Sequence, residues 1–222
     1  MTAGKPGGFL ITFEGPEGGG KSTQIHRLAS SLAEDGYRVW TTREPGGTRA
    51  GEIIRPIVLE DRVTELAAWT EALLFSAARA QLVDEVIRPR LERGEVVLCD
   101  RFSDSTLAYQ GYGRGLDLGA LRRLQDEVTG GLRPNLTLLL DLPVETGLAR
   151  IPRTVQDRLD TETVAFHQRV HAGYREMVAG APERWRVVDA SRRPDAVAAD
   201  ILDLARRALA GAGIQPAERR SA

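Results

Sequence analysis

The sequence predicts an α/β fold: a parallel sheet of five strands with helices on both faces. Short β-rich apolar runs alternate with longer segments of helical spacing. Runs such as "LTLLLDL" are apolar on both sides, which suits a parallel sheet covered by helices above and below. Between the first run and the first amphipathic segment stands a stretch almost without side chains, "GPEGGG".

The elements follow in chain order. The first strand is Phe9 to Glu14; after the glycine-rich loop, "KSTQIHRLA" opens a helix. The second strand is Arg38 to Thr42. A long helix is expected from about Thr64 to Glu92, with more apolar positions than one sheet face needs. The third strand is Glu95 to Asp100 and the fourth Leu136 to Leu142. A helix-like stretch then leads to "GLARIPRTVQDRLDTE", with another helix starting at Asp160, and the fifth strand is Trp185 to Asp189. With 222 residues, one domain spanning 1–222 is expected, its small, polar tails, about 1–8 and 211–222, frayed.

A net charge of -1, with acids and bases interspersed, gives no global field for nucleic acid or anionic lipid. Any anion site must therefore be local. Cys99 is the lone cysteine, so no internal disulfide forms, and no apolar stretch is long enough for a membrane span or a signal-peptide core. These features fit a reducing cytoplasm.

Gly15, Gly20, Lys21 and Ser22 satisfy G-x-x-x-x-G-K-[ST] between a strand and a helix. This is a phosphate-binding loop, and the expected architecture becomes a P-loop NTPase three-layer fold. Bare backbone N–H groups curl around phosphate oxygens, the helix N-terminus adds its dipole, Lys21 reaches the terminal phosphates and Ser22 offers a hydroxyl to Mg²⁺. Such loops serve switches and enzymes alike. The chain has no Asn-Lys-x-Asp segment to read guanine. Instead its third strand ends in Asp100 and Arg101, at the sheet edge where ligands of open α/β folds bind. The carboxylate suits a metal or its bound water, and the guanidinium a second phosphate; alone, such a pair is more often a surface ion pair.

"EGPEGGGKST", "TTREPGGT", "LLFSAARAQL", "CDRFSDSTLAYQGYGRG", "RPNLTLLLDLP" and "DRLDTE" occur in the order and spacing of bacterial thymidylate kinase, and the chain resembles that family from about Phe9 to Arg207. The resemblance implies transfer of the γ-phosphoryl of ATP to dTMP, with Mg²⁺, by a homodimer. The alternatives are another deoxynucleotide or deoxynucleoside kinase of the same fold, or a nucleotide-binding regulatory switch. By resemblance the loop Gly15, Pro16, Glu17, Gly18, Gly19, Gly20, Lys21, Ser22 and Thr23 holds ATP, with Ser191 on the same side. Arg101 and Arg43 hold the dTMP phosphate, and Asp100 and Ser22 position Mg²⁺ or its waters. Glu17 faces the sugar 3′-hydroxyl, Tyr109 lies under the sugar, Thr106 bonds the base edge and Ser105 lines the same wall. Phe75 and Arg79, at i and i+4 on one helix, offer thymine a stacking ring and a donor for O4. The family places a cis peptide before Pro45, turning Arg43 or a neighbouring amide toward the acceptor phosphate. The segment "GLARIPRTVQDRLDTE" resembles the family's short lid, at about 150–160; Gly18 leaves the loop without an arginine that some relatives carry there, so that lid must bring the charge: Arg153 first, with Arg150 and Arg158 beside it. His167 and His171, four apart on a helix, read as a solvated face, and Cys99 as a small core residue.

Overall fold

The computed structural model describes residues 7–60, 65–152, 154 and 156–216. Five parallel strands run in the order β2-β3-β1-β4-β5, where β1 is Phe9–Glu14, β2 Val39–Arg43, β3 Val96–Asp100, β4 Leu136–Asp141 and β5 Trp185–Asp189. The central strands β3, β1 and β4 are buried on both faces, as their unbroken apolar runs require. The register sets Phe13 and Arg43 opposite Asp100, and Glu14 opposite Leu139. Every strand end that carries a charged site residue therefore lies at the carboxyl edge.

On one face Phe9, Ile11 and Phe13 meet α1 (Lys21–Glu34) and α9 (Pro194–Gly211), through Ile25, Leu28 and Leu32 of the first and Ile201, Ala205 and Leu209 of the second. Ile214, past the end of α9, packs on the same cluster. The other face is covered in two parts. Leu10, Val97 and Cys99 sit under Leu82, Ile87 and Leu91, and Leu139 and Trp185 sit under Leu121, Phe166, Val170 and Tyr174. These come from α3 (Ala68–Leu82), the π-helical turn Val83–Ile87, α4 (Arg88–Glu92), α6 (Leu118–Thr129) and α8 (Val164–Gly180). Two further helices, α2 (Arg49–Leu59) and α7 (Val144–Ala149), flank the carboxyl edge, and α5 (Ser103–Thr106) runs on into a π-helical segment, Leu107–Gly113.

Two expectations need correcting. The long helix is interrupted: α3 passes into π-helical Val83–Ile87 before α4, and Thr64, its expected start, lies outside the described residues. The helix expected from Asp160 begins at Val164. Asp157 turns its carboxylate back onto the amides of Leu159 (2.8 Å) and Asp160 (3.0 Å), closing a turn there, and Thr163 caps the helix by accepting from the Phe166 amide at 3.2 Å.

Candidate active site

β1 hands over to the phosphate loop at Gly15, whose φ of 131° and whose ideal Cβ, 2.5 Å from the Leu140 carbonyl oxygen, admit only glycine. Lys21 folds over the loop, donating to the carbonyls of Pro16 (2.9 Å) and Gly15 (3.2 Å). Burial, then the Arg101 charge, lowers its pKa against the pull of Glu17 and Asp100. Gly18 lies at φ 67°, and a Cβ there would stand 2.0 Å from the carbonyl oxygen of Gly147 in α7. A Cβ on Gly147 would in turn stand 2.3 Å from the Glu17 carbonyl oxygen. The two backbones touch, so this loop has no room for an arginine at position 18.

Ser22 Oγ donates to Asp100 Oδ2 at 2.8 Å, which puts a hydroxyl and a carboxylate side by side. Hard oxygen donors of this kind fit a Mg²⁺ whose other ligands are phosphates and waters. Among the described residues no group of three or more His, Cys, Asp or Glu forms a metal cage.

Arg101 is the one described non-glycine residue at positive φ, 67°, a conformation that costs about 1–3 kcal/mol. Its Nη2 donates to Glu17 Oε1 at 2.6 Å and its guanidinium lies 4.9 Å from the centre of the Tyr109 ring. Tyr109 donates to the same Glu17 oxygen at 2.6 Å. Burial alone would raise the Glu17 carboxyl, but Arg101, then Lys21 and the Tyr109 hydroxyl, bring it down to about 2. Arg101 thus pairs with the loop carboxylate and not with its neighbour Asp100.

Beneath this group Glu14 is fully buried. It accepts from the Phe102 amide (2.8 Å), Ser105 Oγ (2.6 Å) and the Tyr174 hydroxyl (2.9 Å). Burial, then the nearby Asp104 carboxylate, raises the Glu14 carboxyl to about 7 despite those donors.

A cleft of about 470 Å³ opens over these groups. The phosphate loop from Glu17 to Thr23 forms one wall; Arg43, Glu44 and Pro45 form another, with Arg55 and Leu59 of α2; Phe75, Ser105, Thr106 and Tyr109 line the remainder. The Glu44–Pro45 peptide is cis. Arg43 is largely exposed and pairs with Glu52 at 3.3 Å. Arg79 lines the cleft but is only 1% exposed, and all three of its guanidinium nitrogens are engaged. Nε and Nη2 meet Glu44 Oε2 at 2.7 and 2.5 Å, Nη2 also meets the Phe102 carbonyl, and Nη1 meets Thr106 Oγ1 and Gln125 Oε1.

The lid arginines separate. Arg150 donates to the Ala190 carbonyl (3.0 Å) and reaches the Gly18 carbonyl at 3.5 Å, beside the phosphate loop. Arg153 lies outside the described residues. Arg158 turns inward, donating to the buried Glu71 and, at 3.1 Å, to the Val58 carbonyl. Glu71 also takes Gln110 and Arg114, so Arg158 ties the lid to α3. Ser191 stands outside the cleft lining, with its hydroxyl and amide on Asp189.

The histidines do not form a solvated face. His167 is 2% exposed, edge-on to Phe166 at 5.5 Å, and His171 Nε2 lies 2.5 Å from Asp141 Oδ1. That side of α8 is pressed against β4 and the lid turn. The sequence reading also left out Arg55, Gln110, Asp157 and Leu159, which line the cleft, and Glu14. Gln110 and Asp157 stand inside the motifs "AYQG" and "QDRLD"; Glu14 opens "EGPEGGGKST" but, ahead of the phosphate-loop pattern that starts at Gly15, reads as the end of an apolar strand.

A family model described as thymidylate kinase matches residues 13–201. Thymidylate kinase of Roseiflexus castenholzii is 54% identical over 207 residues, covering 87% of this chain and 90% of that protein. Thymidylate kinase of Thermomicrobium roseum is 57% identical over 192 residues, covering 86% and 90%. The crystal structure of thymidylate kinase from Ehrlichia chaffeensis superposes with a TM-score of 0.74 at 31% identity, covering 90% of this chain and all of that one. With a family match across most of its length and relatives more than half identical, the chain belongs to the thymidylate kinase family.

Proposed function

We propose that this protein transfers the γ-phosphoryl of ATP to dTMP, giving ADP and dTDP for dTTP biosynthesis, as a cytoplasmic, Mg²⁺-dependent homodimer with one domain per chain. The observation that carries the reading is that Glu17 and Lys21 of a phosphate loop share one cleft with Arg101 and Tyr109, so two phosphate-bearing ligands can meet across Glu17. A switch needs only the first half of that arrangement.

The loop amides from Gly15 to Thr23 and Lys21 hold the ATP phosphates, and Ser22 and Asp100 hold Mg²⁺, which neutralises phosphate charge when bound. On the acceptor side Arg101, Arg43 and Arg55 receive the dTMP phosphate. When that phosphate takes Arg101, Glu17 is released toward the sugar 3′-hydroxyl, while the Tyr109 ring fills the space a ribose 2′-hydroxyl would need. Phe75 stacks on thymine, and Thr106 and Ser105 line its edge. Arg79 reaches O4 by exchanging its Thr106 contact, because each of its guanidinium nitrogens is already engaged. A dTMP phosphate oxygen then attacks the γ-phosphorus in line as the bond to the ADP oxygen breaks, and no side chain forms a covalent intermediate. Arg150 and Arg153 supply lid charge to the transferring group; Arg158 anchors the lid. Ile53, Trp69 and Leu73, 59%, 42% and 53% exposed on the packed pair α2 and α3, supply the dimer face. ADP release with dTMP as the sole added acceptor tests the reading: turnover supports it, and nucleotide binding without turnover of dTMP would overturn it in favour of a switch or a kinase for another acceptor.

A further inference from the structure

Glu14 is enclosed by protein, yet no step of the proposed transfer uses it. A carboxylate in such a place is costly unless donors converge on it. Three do, and all three concern Arg101. The Phe102 amide, bound at 2.8 Å, is the peptide that follows Arg101, whose own amide is held by the Phe13 carbonyl at 2.9 Å. The arginine's backbone is therefore clamped on both sides at its left-handed φ of 67°. The other two donors, Ser105 Oγ and the Tyr174 hydroxyl, stand 3.3 and 3.4 Å from Arg101 Nη1 and 2.9 Å from each other. The neighbouring Asp104 carboxylate does not compete for them, because Arg184 binds both its oxygens, at 2.7 and 2.8 Å.

We infer that Glu14 is a positioning residue: it locks the strained Arg101 backbone and the hydroxyls beside the guanidinium, and so aims Arg101 at the acceptor phosphate. The inference rests on the reading of Arg101 as the acceptor-phosphate arginine. It makes geometric reach, not charge alone, the essential property at position 14. Glu14→Asp keeps the charge but withdraws the oxygens by one methylene. Glu14→Gln keeps the reach, with its carbonyl on the Phe102 amide and its amino group donating to hydroxyls that can rotate to accept.

The test is steady-state kinetics of both full-length variants against wild type. Loss of a charge-assisted hydrogen-bond set should raise the dTMP KM of Glu14→Asp about tenfold or more while the ATP KM changes less than about twofold, and Glu14→Gln should stay close to wild type. A rise shared by ATP, no rise in Glu14→Asp, or a Gln variant as impaired as the Asp variant would overturn the inference. Should Glu14→Asp not fold, Tyr174→Phe, which withdraws one donor and keeps the ring, gives the same comparison: a rise for dTMP alone supports the inference, and no rise or a parallel rise overturns it. If the wild type turns over no dTMP, the proposed function fails on its own account. The crystal structure of Glu14→Asp then decides: Arg101 leaving a φ near 67° supports the inference, and Arg101 retaining it overturns it.

Discussion

Arg79 and Glu17 show how differently two charged residues of one cleft are held. Arg79 is sealed against Glu44, whose carboxyl burial raises despite the guanidinium beside it. Removing the arginine leaves a buried carboxylate uncompensated, so Arg79→Met should destabilise the fold by about 3–5 kcal/mol in urea denaturation, with poorer dTMP binding as one consequence. A variant of wild-type stability that binds dTMP poorly would mean that Arg79 acts on the base alone. Glu17 carries a pH signature. Its carboxyl lies near 2 in the folded chain, below the ordinary 4.5, so it adds stability above pH 4.5 that is lost as pH falls toward 2. The shift corresponds to about 3 kcal/mol, and Glu17→Gln should flatten that acid limb in denaturation measured without ligands. Equal acid sensitivity in the two proteins would contradict the Glu17–Arg101 pairing.

At the level of elements, the contact between the phosphate loop and α7 sets which parts can supply charge. Gly147→Ala places a methyl carbon 2.3 Å from the Glu17 carbonyl oxygen, so loop or helix must move. The ATP KM should rise and stability should fall by at least about 1 kcal/mol, the smaller end of overpacking costs; unchanged ATP kinetics would show that the helix does not support the loop. The lid divides in the same way. Arg158→Ala leaves Glu71 buried with one cation fewer and should lower the melting temperature with only a minor effect on kcat in the folded fraction. Arg150→Ala or Arg153→Ala should lower kcat by about two orders of magnitude with the dTMP KM little changed, the size of a lost transition-state cation. If both retain wild-type kcat, the lid does not bring the charge. The strands were legible to within one residue: β1, β3 and β4, buried on both faces, write themselves as unbroken apolar runs, and the half-exposed edge strands β2 and β5 as short β-rich runs. The lid was not, because its turn is closed by one side chain, Asp157, and its helix is displaced to the Thr163 cap.

For the molecule as a whole, the phosphate loop and the Asp100–Arg101 strand end could be read from sequence because each is a local motif whose residues stand a few positions apart. The Glu14, Arg79 and Glu71 networks join residues up to 160 positions apart, so no local pattern announces them. Position 18 is intermediate: its glycine is plain in the sequence, and the reason for it, Gly147, stands 129 residues away. The apolar face of α2 and α3 predicts that Leu73→Glu shifts the protein from dimer to monomer in sedimentation velocity; a wild type that sediments as a monomer would remove the dimer. The central claim is that one cleft joins ATP to dTMP. The measurement that tests it most directly is kcat/KM for ADP formation with dTMP, dUMP, dCMP, dGMP, AMP and thymidine, each as the sole acceptor in the presence of Mg²⁺. dTMP should give the highest value, and thymidine, which lacks the phosphate that Arg101 is held to receive, should not turn over. A higher value for any other acceptor, or turnover of thymidine at the rate of dTMP, would contradict it.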